Sequence, residues 1–317
     1  MLERMTYWGL ARTAAVIVLL MAGAPLAGQD REEEPEVQAR SLLGKELRTP
    51  PVSSEVRAEF EAKLEEARKR YRENPSEENL IWVGRRLAYL GRYRQAVKTY
   101  TQGLEEHEAS PHLLRHRGHR FITLRRFDWA IDDFEKAAGL TQGQPDEVEE
   151  DGLPNARNVP TSTLQTNIYY HLGLAHYLKG DFEKALDAYQ ECLQRSRNND
   201  MQVATRHWLY MTLRRLGRQE EAREVLMPVE EGMDIIENQA YYDLLLMYKG
   251  LKTPQDLLDP EADGLQSATV GYGIGNWHLY NGRREEAMKI FGQIVEQPGW
   301  AAFGYIASEA ELARRGD

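Results

Sequence analysis

A spacing of 34 residues constrains this chain more than any other feature. Aligning IWVGRRLAYLGRYRQAVKTY (81–100) with RHRGHRFITLRRFDWAIDDF (115–134) maps Gly84 onto Gly118, Leu87 onto Phe121 and Tyr93 onto Phe127. It also maps Ala96 onto Ala130 and Tyr100 onto Phe134, all at the same offset. The frame recurs at 169–189, 207–226 and 272–291. A fixed period of this length means that each unit is one supersecondary element unable to bury its apolar face alone, so neighbours must stack.

Within a unit the residue types specify two amphipathic helices and a joint. Gly91, Gly180, Gly217, Gly250 and Gly282 fall where a left-handed residue would end the first helix, and Arg125 stands there in the second unit. Ala96, Ala130, Ala185, Ala222 and Ala287 give small side chains early in the second helix. Tyr100, Phe134, Tyr189, Leu226 and Phe291 follow four residues later on the same face, where they fill the space between helices. Ser110–Pro111 and Thr253–Pro254 are cap-plus-first-turn pairs.

This pattern resembles the tetratricopeptide repeat family, although the family's first-helix tryptophan is not kept in place. The resemblance implies an all-α fold: an α-solenoid of stacked helix-turn-helix (tetratricopeptide) repeats wound as a right-handed superhelix. It covers residues 54–317, with units near 77–110, 111–140, 166–199, 203–235 and 268–299 and a degenerate one at 236–260. Ala130 and Ala185 lie 55 residues apart, so an insertion at 141–161 interrupts the stack. WAAFGYIASEAELARR reads as a capping helix over 300–315.

The first 28 residues differ in kind. Arg4 and Arg12 precede an apolar run of sixteen residues, TAAVIVLLMAGAPLAG, which has the form of a secretory signal peptide and is short for a spanning helix. Export to a periplasm or to the medium is the expectation, with no membrane contact after cleavage and an N-terminal anchor if the signal is retained. Residues 29–53, with Pro35, Pro50 and Pro51, read as a flexible linker. Cys192 is the only cysteine, so no internal disulfide contributes to stability.

A net charge of −10 argues against nucleic acid as a partner. Against that background SPHLLRHRGHRFITLRR (110–126) concentrates three histidines and five arginines. Helical spacing puts His112, His116 and His119 within an arc of ~60°, bordered by Arg115. In the family the first helices line the concave side. The matching positions in later units are Tyr170, His171 and Tyr177, then His207, Trp208 and Arg215, then Tyr272 and Asn276. These residues are expected to form a groove wall for a protein or peptide, since Tyr, Trp and Arg supply much of the energy at interfaces. The family's carboxylate clamp of lysines, asparagines and an arginine is not reproduced.

His112 and His116 stand at i,i+4, so the alternative is a metal-binding protein or an unfamiliar metal-dependent hydrolase. No HExxH or cysteine cluster accompanies them. No catalytic residues, metal ligands or cofactors are assigned, and a non-enzymatic scaffold is the expectation. The insertion carries five acids in residues 146–151. They are expected to fold over the basic face as a lid or as a competitor for an acidic ligand, with loop or ligand tightened when the histidines protonate near pH 6.

Overall fold

The computed structural model describes residues 35–258 and 264–314. The expected signal peptide (1–28) and the start of the expected linker lie outside the described residues. The elements that follow belong to the unit beginning at Pro35.

Helices pair along the chain as the residue pattern demands. After α1 (Ser54–Glu73) come α2 (Glu77–Tyr89) with α3 (Tyr93–Glu106) and α4 (Pro111–Thr123) with α5 (Phe127–Thr141). These are followed by α6 (Leu164–Lys179) with α7 (Phe182–Arg195) and α8 (Asn199–Arg215) with α9 (Gln219–Leu226). Next, α10 (Gln239–Tyr248) is followed by a 3-10 turn (Pro254–Leu257) in place of a second helix. Finally come α11 (Gly264–Tyr280), α12 (Arg284–Ile294) and α13 (Phe303–Ala313). Each helix packs on the next except α9, after which α10 packs on α8, and α2, α4, α6, α8 and α11 also touch in series as an inner row. The fold is an α-solenoid.

The core explains which residues the repeat holds fixed. A Cβ placed on Gly118 would lie 2.9 Å from the ring of Phe134, and one on Gly173 would lie 2.8 Å from Tyr189. The first helix therefore gives up a side chain so that the aromatic of the second can reach its axis. In α8 and α9 the volumes trade places: Tyr210 occupies the glycine position and Leu226 the aromatic one, and both are buried. Helix starts are fixed by side chains, with Ser76, Ser110, Thr163 and Asn198 each accepting a backbone N–H of the first turn.

Residues 29–53 were expected to be a flexible linker, and the described part is not one. Strands β1 (Val37–Arg40) and β2 (Glu46–Arg48) form an antiparallel hairpin with an irregularity between Val37 and Ala39. Leu47 and Gln38 are buried, the Arg94 amide donates to Gln38 Oε1 at 3.2 Å, and Trp300 Nε1 donates to the Arg48 carbonyl at 2.7 Å. The polar composition hid this because the hairpin is held through backbone groups whose partners lie far away in sequence.

Helix α13 does more than cap the end of the stack. It packs on α6, α11 and α12. Phe303 rests against His119 of α4 and His171 of α6, with ring centroids 5.3 and 5.6 Å away. Glu311 pairs with Arg215 of α8, and Arg314 donates to the carbonyls of Tyr177 and Leu178 at the end of α6. The last helix thus lies across the inner row and fills the hollow that the row would otherwise enclose.

The lock is a buried ion pair. Arg125, in the glycine position, has φ 60°. Its guanidinium donates to Glu309 Oε2 at 2.6 and 3.0 Å, to the Trp300 carbonyl at 2.8 Å and to the Thr123 carbonyl at 2.6 Å. The Leu42 amide of the hairpin donates to the other oxygen of Glu309. One carboxylate therefore ties the hairpin, the second unit and the last helix together, and this contact occupies a site where glycine would be free of strain.

Candidate functional site

Most of the expected groove wall is core, and this corrects the sequence reading. His116, Tyr170, His171, Tyr177, His207, Trp208, Tyr272 and Asn276 are all buried. Many of their polar atoms bond to neighbouring core groups: Trp208 Nε1 donates to Tyr170 Oη at 2.8 Å, and that hydroxyl donates to Tyr241 Oη at 3.2 Å. Tyr177 Oη accepts from Tyr272 Oη at 2.9 Å and from Asn276 Nδ2 at 2.8 Å. His207 sits among the rings of Trp208, Tyr241 and Tyr248. His171 donates from Nδ1 to the Asn167 carbonyl at 2.6 Å and stacks on Phe134. Arg215 is engaged by Glu311 at 2.5 Å. The physical reason is that the chain fills the wall itself: α13 covers His119, His171 and Arg215 through Phe303 and Glu311, α10 covers Tyr170 and His207 through Tyr241 and Tyr248, and Tyr100 stacks on His116.

Protonation follows burial. Burial pushes the His171 and His207 imidazoles down to about 3, helped at His171 by Arg115. Burial, reinforced by Arg115, holds His116 well below the usual imidazole range, and burial with Arg120 does the same for His119. These four rings stay neutral near pH 6, so the expectation of tightening through protonated His116 and His119 is corrected as well. Among the described residues no three His, Cys, Asp or Glu side chains come together as a metal site.

What remains accessible on the inner row is its N-terminal end, where α2 and α4 present arginine. There the acidic insertion lies against the wall. Glu149 meets Arg115 Nη2 at 2.8 Å and approaches His116 Nε2 at 3.7 Å. Both members of the Glu149–Arg115 pair are largely covered, their side chains 10% and 12% exposed. Neutral His116 accepts from Arg115 Nη1 at 3.0 Å through Nδ1. Glu147 meets His112 at 3.2 Å, with Glu77 3.6 Å from the other ring nitrogen. Arg85 and Arg86 of α2 donate to the carbonyls of Glu150 and Gly152.

Residues 146–149 are tied to the chain entering α6: Val148 bridges to Thr163, the Glu149 amide donates to the Ser162 carbonyl at 3.2 Å, and the Glu149 carboxylate also accepts from Asn167 Nδ2. Asp146 accepts the Gln165 amide at 3.0 Å at the start of α6, and the Leu164 amide donates to the Glu147 carbonyl at 2.8 Å. Between these anchors Val148 is 68% exposed. A cavity of about 430 Å³ persists beside the segment, lined by Glu77, Trp82, Arg85, His112 and His116 among others. The sequence singled out Arg115, His112 and the insertion. It missed Arg85 and Arg86, which a count of arginines facing the insertion on the preceding first helix could have found.

Residues 166–199 match the tetratricopeptide repeat family. The chain is similar to the BBSome complex member BBS4 of Bos taurus, 26% identical over 136 residues, which are 43% of this chain and 22% of that protein. It therefore spans about a fifth of that curated relative. Among solved structures it resembles YrrB, described as a tetratricopeptide repeat protein with an unusual peptide-binding site. That likeness has 18% identity and a TM-score of 0.42, covering 78% of this chain and 99% of that one. A tetratricopeptide repeat protein of Parabacteroides merdae is similar at 16% identity and a TM-score of 0.46, covering 81% and 93%.

Proposed function

We propose that the protein is a non-enzymatic, exported scaffold. It binds an acidic segment of a protein or peptide against the arginine wall of α2 and α4, and its own residues 146–151 occupy that wall in the absence of the partner. The observation that carries this reading is the Arg115–Glu149 pair, flanked by Arg85, Arg86 and His112 on the same short segment. A carboxylate brought against a nearly covered guanidinium forms a charge-assisted contact that an acidic partner reproduces side chain for side chain. The tetratricopeptide repeat at 166–199 supports a role in protein interaction. Export rests on the pattern of the first 28 residues.

The test uses a fluorescent peptide copying residues 144–152. With Glu147, Glu149 and Glu150 changed to glutamine in the full chain, the peptide should bind at least ~10-fold more tightly than to the unaltered protein, a difference of about 1.4 kcal/mol. Equal affinity for the two proteins refutes the displacement reading. Fractionation of producing cells tests export separately, and accumulation in the cytosol contradicts it.

A further inference from the structure

A second opening lies beside α4, away from the acidic segment. Its volume is about 550 Å³, within the size range of small-molecule sites. Phe60 of α1, Tyr89 of α2, Tyr93 of α3, Leu153 of the insertion and Pro298 give it apolar walls, and no carboxylate lines it. Arg120 borders it.

Arg120 differs from the other inward arginines of its neighbourhood. Arg115 meets Glu149, Arg117 meets Asp133 at 2.7 Å, and Arg125 meets Glu309. Arg120 forms no ion pair or side-chain hydrogen bond among the described residues, and its guanidinium lies 5.6 Å from the ring centroid of Tyr93. A guanidinium cannot escape this setting by losing its proton. Arg120 is partly exposed where it opens on the cavity, so its guanidinium is free to form a charge-assisted pair with any ligand that brings an anion. His119 shares the cavity wall and stays neutral, so the site carries one positive charge.

We propose that this cavity binds a small organic acid, its carboxylate paired with Arg120 and its aromatic or branched aliphatic body held between Phe60, Tyr89 and Pro298. The charge selects a monoanion, and the apolar walls reject a small hydrophilic one. The site is separate from the acidic segment's wall, so it stands or falls independently of the scaffold reading.

Calorimetric titration of the full chain with 3-phenylpropanoate, 4-methylpentanoate and 3-phenylpropanamide tests the proposal. An acetylated pentapeptide ending in a free phenylalanine carboxylate is the further arm. At least one of the two acids should bind, the amide should bind at least ~10-fold more weakly than 3-phenylpropanoate, and Arg120→Met should remove that preference. Leu153→Trp, which keeps Arg120 and fills the cavity from an exposed position, should also weaken acid binding by ~10-fold and serves if Arg120→Met fails to fold. Failure of both acids to bind, equal binding of acid and amide, or acid binding unchanged in a folded Arg120→Met protein would overturn the proposal. Binding of the pentapeptide without either acid would overturn it in favour of a chain terminus.

Discussion

The inner row is covered twice, and the two covers are built differently. At the C-terminal end α13 brings Ile306, Ser308 and Glu309, all fully buried, and its carboxylates Glu309 and Glu311 meet Arg125 and Arg215. At the N-terminal end residues 146–151 bring ion pairs and backbone carbonyls, while Glu147 and Val148 remain mostly in solvent. Apolar burial is lost in full when a helix lifts away, whereas the acidic segment is held by polar contacts that an acidic partner can replace in kind. The same row of helices is thus sealed at one end by apolar packing and covered at the other by polar contacts, the cover that the proposed scaffold would exchange for its partner.

The largest expected effect breaks the seal. Glu309→Ala leaves Arg125 buried and unpaired and strands the Leu42 amide, so urea unfolding should show a loss of about 3–5 kcal/mol. A loss comparable to that of an exposed pair would mean that α13 does not need its ion pair.

Acid comes next and acts on the buried imidazoles of the inner row. His116, His119, His171 and His207 have folded pKa values depressed below their unfolded ones. The unfolded chain therefore binds the extra protons, and stability present above pH ~6.5 declines as pH falls through that value toward the folded pKa. Between pH 7.5 and 5.5 each ring should cost roughly 1 kcal/mol. His207→Phe, placed among aromatic rings, should reduce the slope of stability against pH; an unchanged slope would show that the ring is hydrated.

Gly118→Ala probes the stack shared by both ends. The added methyl meets Phe134 at 2.9 Å, so a loss of about 1–3 kcal/mol is expected in thermal unfolding. The smallest effect belongs to the polar cover. Glu149→Gln should change global stability by less than about 1 kcal/mol, because the segment can open and let water reach Arg115, while proteolytic nicking within 146–157 accelerates. A global loss as large as that of Glu309→Ala would erase the distinction.

The sequence made the repeat legible because periodicity is a local property: glycine, alanine and aromatic positions recur where helix contacts repeat. It also placed charge complementarity between the α4 arginines and the insertion, which the Arg115–Glu149 and His112–Glu147 contacts embody. It could not show that α13 enters the hollow, since Arg125 and Glu309 meet across 184 residues with no periodic trace. Two departures hinted at it: an arginine where the other units carry glycine, and two glutamates on the otherwise apolar FGYIASEAELA. The histidines misled because one helical face serves equally as a groove wall or as a packing surface, and only the covering element decides between them.

Native-state hydrogen exchange measured by amide tests the contrast most directly. The amides of α13 around Ile306 to Ala310 should exchange only through global unfolding, while those of Glu149, Glu150 and Asp151 should exchange orders of magnitude faster and slow when the acidic peptide is absent. Exchange in α13 as fast as in the acidic segment, or an acidic segment protected to the global level, would contradict a sealed end and a reversibly covered one.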